Sequence, residues 1–298
     1  VFSMETSLSE SLSSELVAQG CTGLLMDAVT LLNLPHQLAQ WTNPWIFEPL
    51  YTAPHMAGLE SVSPRILKIT DIQNPVLQDF LAHSHEEWGY LLLCDGTWQT
   101  LVQHMRWLTV ARMPHGQDVF LKVADPAVMH AVLNNRACEQ DATLFGPCRQ
   151  ILMADGIQGR WHAHNRPGSA PEPSHQTPYL LNAAQALAFD DVKFRGVVKD
   201  LDTHMRHYFS GYQGAATPAQ RWVHLQGLAT QAYERGFNSE LDIIRYANIH
   251  GYLGEEALQI HLDLERILST ASPQTPSQRV EKAAHIARCR ALSLREPE

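Results

Sequence analysis

A chain of 298 residues with 45% apolar composition can bury roughly three quarters of its unfolded surface, so it needs neither disulfides nor a structural metal to fold. A formal charge of -9 argues against phosphate-backbone binding, which needs clustered Lys and Arg, and against docking on anionic lipid. The acidity belongs to residues 1–178, with 9 Lys/Arg against 17 Asp/Glu, and serves solubility.

The opening VFSMETSLSESLSSEL carries three glutamates and no basic n-region, so no signal peptide is expected. LSESLSSELVAQG (8–20) reads as a helix ending on Gly20. GLLMDAV (23–29), RILKIT (65–70), YLLLC (90–94), DVFLKVA (118–124) and QILMA (150–154) read as strands. GRWHAHN (159–165) reads as an edge strand. Helices are expected from Asn74-Pro75 and from Thr97, where Trp98, Leu101, Val102, Met105 and Leu108 share a face. A third starts at Asp125-Pro126. Proline biases Asp125 toward extended φ/ψ, where an N-cap residue sits, and suits the first helical position. Asp125 therefore reads as a helix cap, not a catalyst.

NRPGSAPEPSHQTP, with four prolines, reads as a loop or linker. Beyond it no strand is evident. Helices are expected over 190–208, 217–236 (from Thr217-Pro218 to Gly236), 239–251 (from Ser239, with Asp242 in a capping-box place, to Gly251), 254–269 and 277–292. The expected fold class is an α/β (α+β) lobe with a mixed sheet flanked by helices over 1–165, a linker over 166–178, and an all-α lobe over 179–298.

The phosphate loop, dinucleotide turn and nucleophile-elbow patterns are absent. Cys21, Cys94, Cys138, Cys148 and Cys289 are scattered and odd in number, which suits buried thiols in a reducing compartment. No stretch approaches 18 uninterrupted apolar residues, and the chain reads as soluble and cytoplasmic. His162 and His164 would share one face of a strand and could ligate zinc together. A hydrolase built on them would need a third ligand and a base, for which Glu86 or Glu87 is available. HSHEE (83–87), however, falls at a helix C-terminus, where imidazoles belong. DLDTH (200–204) reads as a solvated helix face. Trp41, Trp45 and Trp88 read as interface anchors or as lids on the core. No metal or cofactor is expected.

The order of features in the first part resembles a bacterial family, domain of unknown function 4123, the adaptors or chaperones of type VI secretion effectors. The matching positions are Asp27 at the end of the first strand, Ser63-Pro64 before the second and Trp88-Gly89 opening the third. The helix segment His104-Met105-Arg106, the turn Pro114-His115-Gly116, Asp125-Pro126 at a strand-to-helix turn, and Gly146-Pro147 follow. The Gly236–Ile243 stretch of the later lobe is also similar to such adaptors. The family's Arg-Phe-Tyr before the Asp-Pro turn is Lys122-Val123-Ala124 here, and the Arg after it is Ala127. Lys122, Ala124 and Ala127 are therefore the candidate interface positions. The resemblance implies a non-catalytic protein that binds a secreted toxic effector and hands it to the C-terminal region of the valine-glycine repeat spike protein. Neither nucleic acid nor membrane is an expected partner. A metal-dependent hydrolase using the His-x-His pairs and a general scaffold of the secretion apparatus remain as alternatives.

Overall fold

The computed structural model describes residues 21–31, 47–134, 141–172, 174–270 and 272–293. The helix expected over 8–20, and Trp41, Trp45 and Cys138, lie outside them. The strands in chain order are β1 (Cys21–Met26), β2 (Phe47–Pro49), β3 (Arg65–Ile69), β4 (Gly89–Cys94), β5 (Val110–Arg112), β6 (Asp118–Phe120), β7 (Cys148–Asp155), β8 (Arg160–Asn165) and β9 (Tyr179–Leu180). The helices are α1 (Pro75–Ala82), α2 (Trp98–Leu108), α3 (Pro126–Leu133), α4 (Ala183–Tyr208), α5 (Pro218–Glu234), α6 (Glu240–Leu253), α7 (Ala257–Ile260), α8 (Leu262–Ser269) and α9 (Pro276–Ser293). The chain forms two compact units, one up to Val192 and one from Lys193, so the division falls inside α4.

The first unit is built on a six-stranded sheet of order β2-β3-β1-β4-β7-β8. Every neighbouring pair in it is antiparallel. The mixed pairing expected from sequence is found instead in a smaller sheet, β6-β5-β9, where β5 runs antiparallel to β6 and parallel to β9. β1 and β4 are buried throughout. On one face Leu25, Ile66, Tyr90 and Leu92 pack with Leu101, Val102, Met105 and Leu108 of α2 and Val128, Met129 and Val132 of α3. On the other, Leu24, Met26, Leu67, Leu91 and Leu93 pack with Val76, Leu77 and Phe80 of α1. Two covered faces explain why YLLLC is uninterrupted rather than alternating. The run reports burial, not strand direction. Each such side chain contributes about 1.5–3 kcal/mol when taken from water.

The helix starts follow the cap chemistry. Asn74 Oδ1 accepts from the amides of Val76 and Leu77 at 3.0 and 3.4 Å. Thr97 Oγ1 accepts from Thr100 N at 3.2 Å. Asp125 Oδ1 accepts from Ala127 N at 2.9 Å and Val128 N at 3.3 Å, with Pro126 at the first helical position. The strand expected over 118–124 stops at Phe120, because the chain turns into this cap and Asp125 N–H donates to Lys122 O at 3.0 Å.

The proline-rich stretch lies inside the first unit rather than between two lobes. Proline removes ladder donors, but carbonyls and rings of the stretch still pack. Trp107 Nε1 donates to Thr177 O at 2.8 Å, and Leu181 N donates to Arg112 O at 2.8 Å as β9 joins β5. β9 is also a strand that sequence reading missed, as it missed β2 and β5.

The second unit is helical. Its core holds Val198, Leu201, Met205, Leu225, Leu228, Phe237, Ile243, Tyr246, Ile249, Leu264 and Leu268. Val280, Ala283, Ala287 and Ala291 form the buried stripe of α9. Thr217 and Gln220 make a reciprocal capping box at α5. Ser239 Oγ accepts from Asp242 N at 3.1 Å. The Asp242 carboxylate accepts from Ser277 Oγ at 2.6 Å, joining α6 to α9. Two expectations are corrected here. α6 runs through Gly251 to Leu253 and ends at Gly254, and the helix expected over 254–269 breaks at His261 into α7 and α8.

Candidate functional site

Pairing register places Pro49, Arg65, Met26 and Gly89 in one row across β2, β3, β1 and β4. Most of the sequence-selected residues gather at this end of the sheet. Asp27 follows β1 directly. Its amide donates to Trp88 O at 2.7 Å, and its carboxylate accepts from Val29 N at 3.0 Å and Thr30 Oγ1 at 2.8 Å. Gly89 can only be glycine, since a Cβ there would sit 1.8 Å from the Leu25 carbonyl oxygen. Trp88 is buried, its indole N–H donates to Glu86 at 2.8 Å, and the His83 ring stacks on it at 5.2 Å. Ser63 Oγ accepts from Tyr51 N at 3.0 Å, and Pro64 O accepts from Leu50 N at 3.0 Å. Arg106 of α2 donates to Pro49 O through Nε and Nη2, both at 3.1 Å, and pairs with Glu48 at 2.8 Å.

Asp125 reaches the same end. Burial raises its carboxyl above the usual range. The Val128 and Ala127 amides pull it down, Asp27 adds to the rise, and Lys122 opposes it. Burial, then Asp27, also raises the Tyr51 phenol. The Tyr90 hydroxyl donates to Val123 O and so fixes the segment that precedes the cap. Asp27, Tyr51 and Asp125 thus form one electrostatic group, although their positions in the chain are far apart. Of the three candidate interface positions, Lys122 is exposed, Ala127 half-buried and Ala124 buried against the core. Gly116 turns the β5–β6 hairpin, its amide donating to Met113 O at 2.8 Å.

Gly146 and Pro147 belong to the opposite end, where Cys94 lies between Cys21 and Cys148. Pro147 O accepts from Asp95 N at 3.2 Å. Gly146 has φ +50, and a Cβ on it would meet the His104 ring at 2.5 Å. His104 is buried. Its Nε2 lies 3.0 Å from Leu144 O and its Nδ1 3.4 Å from His175 Nε2. Burial lowers its pKa to about 4; the Leu144 contact opposes this and His175 adds to it. His175, from the proline-rich stretch, stacks on Trp107 at 4.9 Å. A cleft of about 390 Å³ opens here, lined by Asp95, Thr100, His104, Trp107, Pro147 and His175 among others. Asp95 in its lining pairs with Arg166 at 2.6 Å.

The histidine pair of β8 acquires a third member. The His130 ring lies 4.1 Å from His162 and 5.0 Å from His164, with His130 Nδ1 3.0 Å from His164 Nε2. Burial, then His130 and His162, lowers the His164 pKa to about 4. His162 Nε2 faces Asp155 at 3.4 Å. Glu86 and Glu87 are engaged elsewhere, with Trp88 and with Gly156 N at 2.9 Å. Among the described residues no group of three or more His, Cys, Asp or Glu is arranged to hold a metal ion. The Asp202 carboxylate of DLDTH pairs with Arg221 at 2.5 Å and Arg206 at 3.0 Å, and His204 bonds Asn248 at 2.7 Å. No helix of the described residues is long and apolar enough to cross a membrane.

Sequence reasoning missed Tyr51, Tyr90, His104, His130 and His175 as partners in these groups. An unpaired polar residue inside an apolar helix stripe was the one available signal, and His104 in TWQTLVQHMRWL carries it.

Comparison with known proteins now adds two findings. The family model described as a domain of unknown function, DUF4123, matches residues 24–142. "Accessory protein VasW" of Vibrio cholerae serotype O1 is 26% identical over 272 residues, covering 89% of this chain and 86% of that protein. No solved structure matches the chain significantly.

Proposed function

We propose that the chain is a non-catalytic cytoplasmic adaptor of a type VI secretion machine. It binds a toxic effector and loads it onto the C-terminal region of the valine-glycine repeat spike protein. The observation that carries this reading is the extent of the alignment with VasW. It spans 89% of the chain, both units included, whereas the family model covers only residues 24–142. A relative named an accessory protein, similar along both units, supports a binding role for the whole chain. The roles of the family-motif residues fit. Asp27, Pro64, Trp88, Gly89, Arg106, Asp125 and Pro126 hold one end of a sheet rigid, and a specific interface of about 1,600 Å² or more needs a rigid support.

The test is co-expression with the effector and spike protein encoded beside the gene. One stable complex on size exclusion is expected, and separate peaks would overturn the reading. Deletion of the gene is expected to stop secretion of one effector; loss of all secretion would indicate a general scaffold instead. Stoichiometric zinc in metal-free preparations made without a histidine tag would favour the hydrolase.

A further inference from the structure

The two edges of the six-stranded sheet differ. At one, β2 is three residues long and ends in Pro49, whose carbonyl is taken by the Arg106 guanidinium. Shortness, proline and a covering charged side chain are devices that prevent pairing with another chain. At the other, β8 runs six residues, Arg160–Asn165, with neither proline nor lysine. Its register on β7 is unbroken from Asp155↔Arg160 to Gln150↔Asn165.

The ladder fixes which backbone groups of β8 are spare. Arg166 N donates to Arg149 O at 2.9 Å, one step beyond Gln150↔Asn165. Hydrogen-bonded pairs alternate in an antiparallel ladder. The inward bonds therefore belong to His164 and His162, and the N–H and C=O groups of Trp161, Ala163 and Asn165 face away from β7. Among the described residues these outward groups have no hydrogen-bond partner. Ala163 and Asn165 are exposed, and Trp161 is half-buried with its ring edge-on to Phe80 at 6.1 Å.

We infer that β8 is a docking edge that accepts an extended, strand-forming segment of the effector by main-chain pairing. This rests on the adaptor reading and names where the client attaches. The segment places alternate apolar side chains beside Trp161 and Ala163, which give one side of the edge apolar cover. It carries no net negative charge, because the first part of the chain holds 17 Asp/Glu against 9 Lys/Arg. The same charge disfavours a second copy of this chain. Pairing of two β8 strands about Ala163 would also set His162 against His164.

The test is amide hydrogen exchange on the full chain, alone and in complex with the co-expressed effector. The amides of Trp161, Ala163 and Asn165 are expected to slow about tenfold or more in the complex, as new hydrogen bonds require. Ala163→Pro removes one outward donor and spares the bonds to β7, and Ala163→Lys adds an edge charge. Each is expected to weaken the complex about tenfold or more with little change in melting temperature. Two results overturn the inference alone: a complex without protection of β8, or protection by the spike protein and not by the effector. Wild-type binding by both folded variants has the same consequence. Absence of any complex overturns the adaptor reading and the inference with it.

Discussion

The two ends of the six-stranded sheet are closed by different chemistry. At the end where Met26 pairs with Gly89 and Arg65, closure is by backbone proximity and fixed hydrogen bonds. Gly89 lets two strands approach, Asp27 and Trp88 exchange a main-chain bond, and Arg106 clamps the Pro49 carbonyl. At the end where Cys94 lies between Cys21 and Cys148, closure depends on a buried neutral imidazole, His104, and on a ring supplied 71 residues later, His175. At the first end burial raises the Asp125 carboxyl, so acid does not oppose closure through it. Closure at the second end weakens as its imidazoles take up protons.

Four perturbations would break or sharpen this contrast. The largest effect is expected for Gly89→Ala. No side chain can yield to relieve a Cβ 1.8 Å from a backbone oxygen, so a loss above about 4 kcal/mol is expected. Urea denaturation checks it, and a near-native midpoint would show that β1 and β4 can part at this row. Next comes pH. The His104 pKa is lowered from 6.5 to about 4, so the unfolded chain takes up the proton first. Stability from this group is complete above pH 6.5 and is lost as pH falls toward 4, by about 3 kcal/mol at most. His104→Gln should flatten the profile, leaving the slopes due to His164, which is held at about 4 as well, and to His175 and His250, which burial also lowers. Identical slopes for variant and wild type would remove the imidazole from the explanation.

Trp107→Phe keeps the ring but deletes the donor to Thr177 O. A cost of about 1 kcal/mol is expected, with faster proteolysis within 166–178. Unchanged cleavage would show that the stretch is held by other contacts. The cap at the Met26–Gly89 end is expected to matter no more than this indole donor. Asp125→Ala should cost about 1 kcal/mol and leave partner binding intact. Asp125→Asn keeps an acceptor for Ala127 and Val128 and removes a carboxylate whose ionisation burial disfavours, so it should match wild type or exceed it at pH 7. Loss of binding in folded Asp125→Ala protein would mean that the turn is itself an interface.

Local signals in the sequence determined a good deal. The caps at Asn74, Thr97, Asp125, Thr217 and Ser239 were legible, because capping depends on residues within one turn of each other. The apolar runs of β1, β4 and β7 were legible as strands for the same reason, and Asp125 could be moved from catalyst to cap without coordinates. Strand partners were not legible. YLLLC reads the same in a parallel or an antiparallel sheet, since burial on both faces sets its composition and pairing direction does not enter. Nor could composition show that a proline-rich stretch packs, because its anchors, Thr177 and His175, bind a tryptophan and a histidine on α2. The gathering of Asp27, Tyr51 and Asp125 and the meeting of His130 with His162 and His164 were decided by tertiary structure alone. Each depends on which elements become neighbours in space, and that is settled by the packing of whole layers rather than by any local run of residues.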